Sequence, residues 1–174
     1  MGIAVVVSGI PELRSTLAQV KAAGLDRKQL FEEIGQAMQG RIELRFTSKT
    51  APDGTQWAAL KPSTALAYAK QDASTGNGLK SGSLLVRSGL MRESLTRITL
   101  ANSVTVGFAR TYASHHETGT GRKKEPLAKL HETGTETMIA RPLIFVNYQT
   151  GKLSTKDREA ILKIARNYIE RQIP

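Results

Sequence analysis

The strongest constraint on this chain is a helical repeat between residues 27 and 46. Leu30, Phe31, Ile34, Ala37, Met38 and Ile42 recur at intervals of three and four, and the pattern runs on to about Phe46. That spacing places them on one side of an α-helix. Asp26, with Gln29 three residues later, has the arrangement of a capping box. Gly35 and Gly40 interrupt the helix, and each costs about 1 kcal/mol relative to alanine. The helix must therefore draw its stability from packing.

Shorter patterns flank it. Residues 3–8 read as a first strand, and Pro11 suits the first turn of a helix carrying Leu13, Leu17 and Val20, which Gly24 ends. Ala51-Pro52-Asp53-Gly54 is a turn sequence; Trp57, the only tryptophan, is expected in the core. Ser63 or Thr64 can cap a helix through Ala65 to Tyr68, and Ser88 a short one that packs through Leu90, Met91 and Leu95. Ile98 and Leu100, then Val104, Val106 and Phe108, alternate with polar residues around Ala101-Asn102-Ser103, predicting a hairpin with strands near 97–101 and 104–109. Pro142 to Val146 suggests a last strand at 142–147. Ser154 or Thr155 can cap a closing helix near 155–171, with Ile161, Ala165, Tyr168 and Ile169 on one side. Residues 71–83 and 118–137 are too polar to form a core and read as flexible loops. Mixed elements without regular βαβ alternation predict an α+β fold, with a small antiparallel or mixed sheet packed against the long helix and the last one. A length of 174 residues is enough for one domain over residues 1–174.

Composition narrows the function. The chain has no cysteine, which excludes disulfides, thiolate zinc sites and a cysteine nucleophile. No apolar run approaches the roughly 20 residues that span a bilayer, and the apolar start lacks a basic leader and a cleavage site, so no signal peptide is expected. The net charge is +10, and residues 61–130 carry eleven Lys/Arg against four acids. Such a surplus attracts phosphate backbones or acidic protein surfaces in a salt-sensitive way. Lys80, Arg87, Arg110, Arg122, Lys123, Lys124 and Lys129 are the candidate interaction residues within it. A soluble basic surface without a dedicated partner accounts for the composition equally well.

The residues that invite catalysis lack the required spacing. His115-His116-Glu117 and His131-Glu132 supply metal-ligand types, which raises a metal-dependent hydrolase as an alternative. Helical metalloproteases need His-Glu-x-x-His, whereas these histidines stand fifteen residues apart beside Thr-Gly-Thr turns. Gly119-Thr120-Gly121-Arg122-Lys123-Lys124 lacks P-loop spacing, and no serine lies in Gly-x-Ser-x-Gly. No catalytic residue, metal ligand or cofactor is expected.

One ordered set of segments remains: Phe46; Pro52-Asp53-Gly54 and Trp57; Ser88-Gly89-Leu90; Val104-Thr105-Val106-Gly107; Tyr112-Ala113, His116 and Gly119; and Ala140-Arg141-Pro142. In this order and at these separations the chain resembles, over about residues 10–170, the virion-morphogenesis (tail-completion) proteins of Mu-like and P2-like tailed phages. The resemblance implies structural roles for Asp53, Gly54, Trp57, Gly89, Tyr112, Arg141 and Pro142. It also implies a non-catalytic virion protein, made in the bacterial host cytoplasm, that completes the tail or joins it to the head. Expected partners are tail or neck proteins and further copies of the chain in a ring, with contact to packaged DNA compatible with the charge and no membrane partner. A sequence-nonspecific DNA-binding protein is the competing class. The chain departs from the resemblance in a long stretch between Tyr112 and Arg141, where His116-Glu117-Thr118-Gly119-Thr120 returns as His131-Glu132-Thr133-Gly134-Thr135, and in Leu143-Ile144 following Arg-Pro in place of an aromatic.

Overall fold

In a computed structural model, the structure describes residues 3–6, 11–75, 84–85, 89–109, 140–147 and 150–172. Strand β1 (Ile3–Val6) is followed by helices α1 (Pro11–Ala22), α2 (Arg27–Ser48) and α3 (Pro62–Thr75), then the single turn α4 (Leu90–Glu93). Strands β2 (Leu95–Leu100) and β3 (Ser103–Phe108) and helix α5 (Thr155–Gln172) complete the order. The fold is α+β, as the mixed patterns predict. The sheet is antiparallel with order β1-β3-β2. A two-residue turn, Ala101-Asn102, joins the hairpin, because Leu100 pairs with Ser103.

The break between α1 and α2 has local causes. Gly24 ends α1 at φ +67°, its N–H bonding to Lys21 O and that of Leu25 to Val20 O. Those two bonds form a Schellman motif. Asp26 caps α2, its side chain accepting from the Lys28 N–H at 2.8 Å. After α2 the chain reverses at Pro52-Asp53-Gly54: the Gly54 N–H bonds to Ala51 O, the Ala51 N–H bonds to Thr55 O, and Gly54 takes φ +97°. That is a three-residue hairpin loop whose last position requires a positive φ. The Asp53 carboxylate accepts from the Thr55 N–H at 2.9 Å, and this bond, more than nearby Lys156, holds its pKa below the ordinary value.

Helix α2 is the centre of the molecule, with the sheet on one side and α1 and α5 on the other. Leu30, Phe31, Ile34, Met38, Ile42 and Phe46 are buried along it, as the repeat requires. Gly35 faces the sheet so closely that a Cβ there would lie 2.5 Å from Val104 Cγ2 and 2.7 Å from Arg97 Cδ. Its cost in helix propensity is offset by this approach of helix to sheet. A Cβ on Gly40 would meet nothing within 4 Å, and packing does not explain that glycine.

Two expectations are corrected. Residues 142–147 are not a strand: Leu143, Ile144 and Phe145 are all buried in succession, which a strand with alternating faces does not provide. Carbonyls of this segment are taken by side chains, Pro142 O by the Trp57 indole and Leu143 O by Arg45. Helix α3 begins at Pro62 and continues to Thr75, so residues 71–75, assigned to the first polar loop, are helical. Proline is suited to a first helical position, and no glycine interrupts the stretch before Gly76. Residues 76–83 and the loop at 118–137 lie outside the described residues. The hairpin presents Arg97 and Thr99 to α2 and leaves Ile98 and Leu100 each 59% exposed. The apolar alternation of β2 therefore points away from the core.

Candidate functional site

Two of the sequence segments that are far apart in the chain meet at one junction. Helix α2 delivers Phe46, the Pro52-Asp53-Gly54 reversal brings Trp57 back beside it, and the 140–145 segment closes over both. Phe46 packs edge-on against Trp57 (centroids 6.4 Å, 82°) and against Phe108 of β3 (6.1 Å, 88°). Edge-to-face packing of this kind suits the charge distribution of the rings. The Trp57 indole N–H donates to Pro142 O at 3.1 Å. In return the buried Arg141 guanidinium donates to Ala58 O (3.1 Å) and Ala59 O (3.2 Å). The two segments thus hold each other's backbones outside any sheet. Burial lowers the pKa of Arg141, partly countered by Tyr68, and arginine remains charged at neutral pH.

A buried ion pair lies beside this junction. Ser154 caps α5, its hydroxyl accepting from the Asp157 N–H at 3.1 Å. Asp157 is fully buried. Arg45 Nη2 stands 2.6 Å from both of its carboxylate oxygens, and Arg41 Nε is 2.7 Å from Oδ1. Arg45 also donates through Nη1 to Leu143 O at 2.5 Å. One carboxylate, near the positive end of a helix, thereby joins α2, α5 and the 140–145 segment. At the other end of the α2–α5 contact, the Tyr168 hydroxyl donates to Asp26 O at 2.7 Å, and burial raises its pKa. Against the sheet, Glu32 accepts from Arg97 at 2.7 Å and from the Thr99 hydroxyl. The Thr99 bond first, then the charge of Arg97, lowers the Glu32 pKa against an opposing desolvation effect.

Of the residues proposed from sequence, Trp57, Arg141 and Pro142 come together here, and Asp53 and Gly54 form the reversal that delivers Trp57. Gly89 stands elsewhere, at φ +75° ahead of α4, where its carbonyl accepts from the Glu93 N–H. Tyr112 and the basic candidates Lys80, Arg87, Arg110, Arg122, Lys123, Lys124 and Lys129 lie outside the described residues, as do both His-Glu repeats. Sequence reasoning passed over Arg41, Arg45 and Asp157. A signal existed: Arg45 falls on the same face as Met38 and Ile42, and a charge on an apolar stripe needs an opposite partner.

The described residues contain no helix long and apolar enough to cross a membrane. An apolar pocket of about 260 Å³ lies between α1, α2, β3 and α5. Its lining includes Leu17, Met38, Val104 and Ile161, and among the described residues Asn102 and Ser103 are the polar exceptions and none is titratable.

Neither a curated protein nor a solved structure matches the chain significantly. A family model described as the phage virion morphogenesis family matches residues 10–170, which includes every part of the junction. The chain therefore belongs to the phage virion morphogenesis family, and its role lies in the assembly of the phage particle.

Proposed function

We propose that this protein completes the tail or joins it to the head as a subunit of a ring, acting by shape and adhesion without breaking covalent bonds. The observation that carries the proposal is how the family-like residues are used. Trp57 and Arg141 spend their hydrogen bonds on backbone carbonyls of the opposite segment. Groups committed in this way serve architecture. The described lining of the pocket between α1, α2, β3 and α5 is apolar apart from Asn102 and Ser103. The partners in this reading are tail or neck proteins and other copies of the chain, in the virion and, during assembly, in the host cytoplasm.

Electron microscopy of particles made without this protein is the direct test. Separate heads and tails are expected; intact, infectious particles would overturn the proposal. The net charge of +10 supports a second reading, sequence-independent DNA binding. Tight binding of the isolated protein to duplex DNA, falling steeply with added salt, would favour it, and no binding at low salt would remove it.

A further inference from the structure

One face of α2 holds groups that the fold itself does not use. Ala37, Gly40, Arg41 and Leu44 stand at i, i+3, i+4 and i+7, so they share a face of the helix, outside the buried stripe of Ile34, Met38 and Ile42. Leu44 is 66% exposed. Gly40 has nothing within 4 Å of where a Cβ would stand, although glycine weakens a helix interior. A glycine at an open position of a helix admits a second molecule close to the backbone. The leucine one turn on offers that molecule an apolar contact.

Arg41 gives the face its chemistry. The fully buried Asp157 is shared by Arg45 and Arg41, so two guanidinium groups meet one carboxylate and one positive charge is left over. Arg45 is enclosed, its side chain 7% exposed, and its other amino group is taken by Leu143 O. Arg41 is 34% exposed and reaches Asp157 through Nε at 2.7 Å. Its terminal nitrogens, Nη1 and Nη2, make no bond among the described residues. A guanidinium held at Nε keeps its terminal fork in place, and that planar fork receives a carboxylate through two parallel bonds. The nearest acids on α2 are engaged elsewhere: Glu33, one turn before Ala37, bonds to Arg171 at 2.6 Å, and Glu43, on the other flank, accepts from Gln39.

We infer that this face of α2 docks an acidic segment of a neighbouring particle protein, with a carboxylate on Arg41 and an apolar side chain over Gly40 against Leu44. This rests on the assembly reading above and names the chemistry of the partner. Charge selects that partner. Another copy of the chain, also at +10, approaches against long-range repulsion, whereas an acidic protein is drawn in. Duplex DNA engages several cations along its backbone, and Arg41 is the only charged residue of these four.

Particles assembled with Leu44→p-benzoylphenylalanine are irradiated, and the crosslinked peptides are identified by mass spectrometry. Expected are peptides of a different virion protein with Asp or Glu beside the crosslinked position. Adding Arg41→Gln should lower their yield about tenfold or more, the loss of a charge-assisted pair. Crosslinks to other copies of the chain, to DNA or to a segment without acids would each overturn the inference, as would no crosslink or a yield indifferent to Arg41→Gln. Because Arg41→Gln also removes a bond to Asp157, Gly40→Leu provides a second measurement. It enters open space and raises helix propensity, so the free protein should melt no lower than wild type while the yield of infectious particles falls about tenfold or more. An unchanged yield would overturn the inference. Particles made without the protein separate the two failures. If these are also intact and infectious, the assembly reading falls together with the inference; if they are defective while Gly40→Leu particles are normal, only the docking face falls.

Discussion

The two sides of α2 carry nearly the same ion pair in different surroundings. Toward α5, Arg45 meets Asp157 at 2.6 Å with side chains 7% and 0% exposed. Toward the sheet, Arg97 meets Glu32 at 2.7 Å with side chains 26% and 46% exposed. Burial, far more than distance, decides what each pair does. The buried carboxylate has no water to fall back on, so losing it strands two guanidinium groups. The sheet-side pair is solvated and screened, and the contact there depends on the close approach that Gly35 permits.

Removing the buried partner should have the largest effect. Asp157→Ala is expected to cost about 3–5 kcal/mol because it leaves Arg45 charged and unpaired, measured by denaturant unfolding. Replacing both partners, Arg45→Met with Asp157→Leu, should recover most of that loss. If the double variant is as unstable as the single one, the pair is also needed for the shape of the 140–145 segment.

On the sheet side, Gly35→Ala should cost about 1–3 kcal/mol, the usual range for forcing a methyl into a filled contact. Val104 or the Arg97 stem must move to admit it. If Gly35→Ala were neutral, helix and sheet would be held less closely than the 2.5 Å clearance implies. Gly40→Ala is the matched reference in the same helix, with open space around it. It should stabilise by about 0.5–1 kcal/mol through helix propensity alone.

The smallest effect is expected at Glu32, and it should depend on pH. Its carboxyl pKa is lowered in the folded protein by the Thr99 hydroxyl and Arg97. Its contribution is therefore present above the unfolded carboxyl pKa of about 4.3 and is lost as pH falls through the lower folded value. Thermal melts between neutral pH and the acid range should show wild type losing more stability than Glu32→Gln on acidification. Parallel curves would mean that the carboxylate contributes nothing to folding.

Much of this architecture is legible in the sequence because it follows from local chemistry. The α2 stripe, the Gly24 stop, the Asp26 cap, the Pro52-Asp53-Gly54 reversal and the alternation in the hairpin each rest on a few neighbouring residues. The 142–147 segment misled the reading because an apolar run beginning with proline looks the same whether it joins a sheet or lies buried as irregular chain. What separates the cases is where its carbonyls find donors, and those donors, Trp57 and Arg45, lie 85 and 98 positions away. The same limit applies to β2. Alternation shows that its residues divide between two faces, but not which face meets α2.

The sequence alone therefore determined the α2 helix, the Gly24 stop, the Asp26 cap, the Pro52-Asp53-Gly54 reversal, the hairpin, the class of fold and the resemblance that family membership bears out, since these depend on residue type and spacing over short distances. Only the tertiary structure decided that Arg45 and Asp157 share a buried pair, that Arg141 and Trp57 hold each other's backbones, and that Ile98 and Leu100 face outward. Each of those depends on which distant groups are brought close enough to exclude water, and it is the exclusion of water that sets the strength of a charge, a hydrogen bond or an apolar contact.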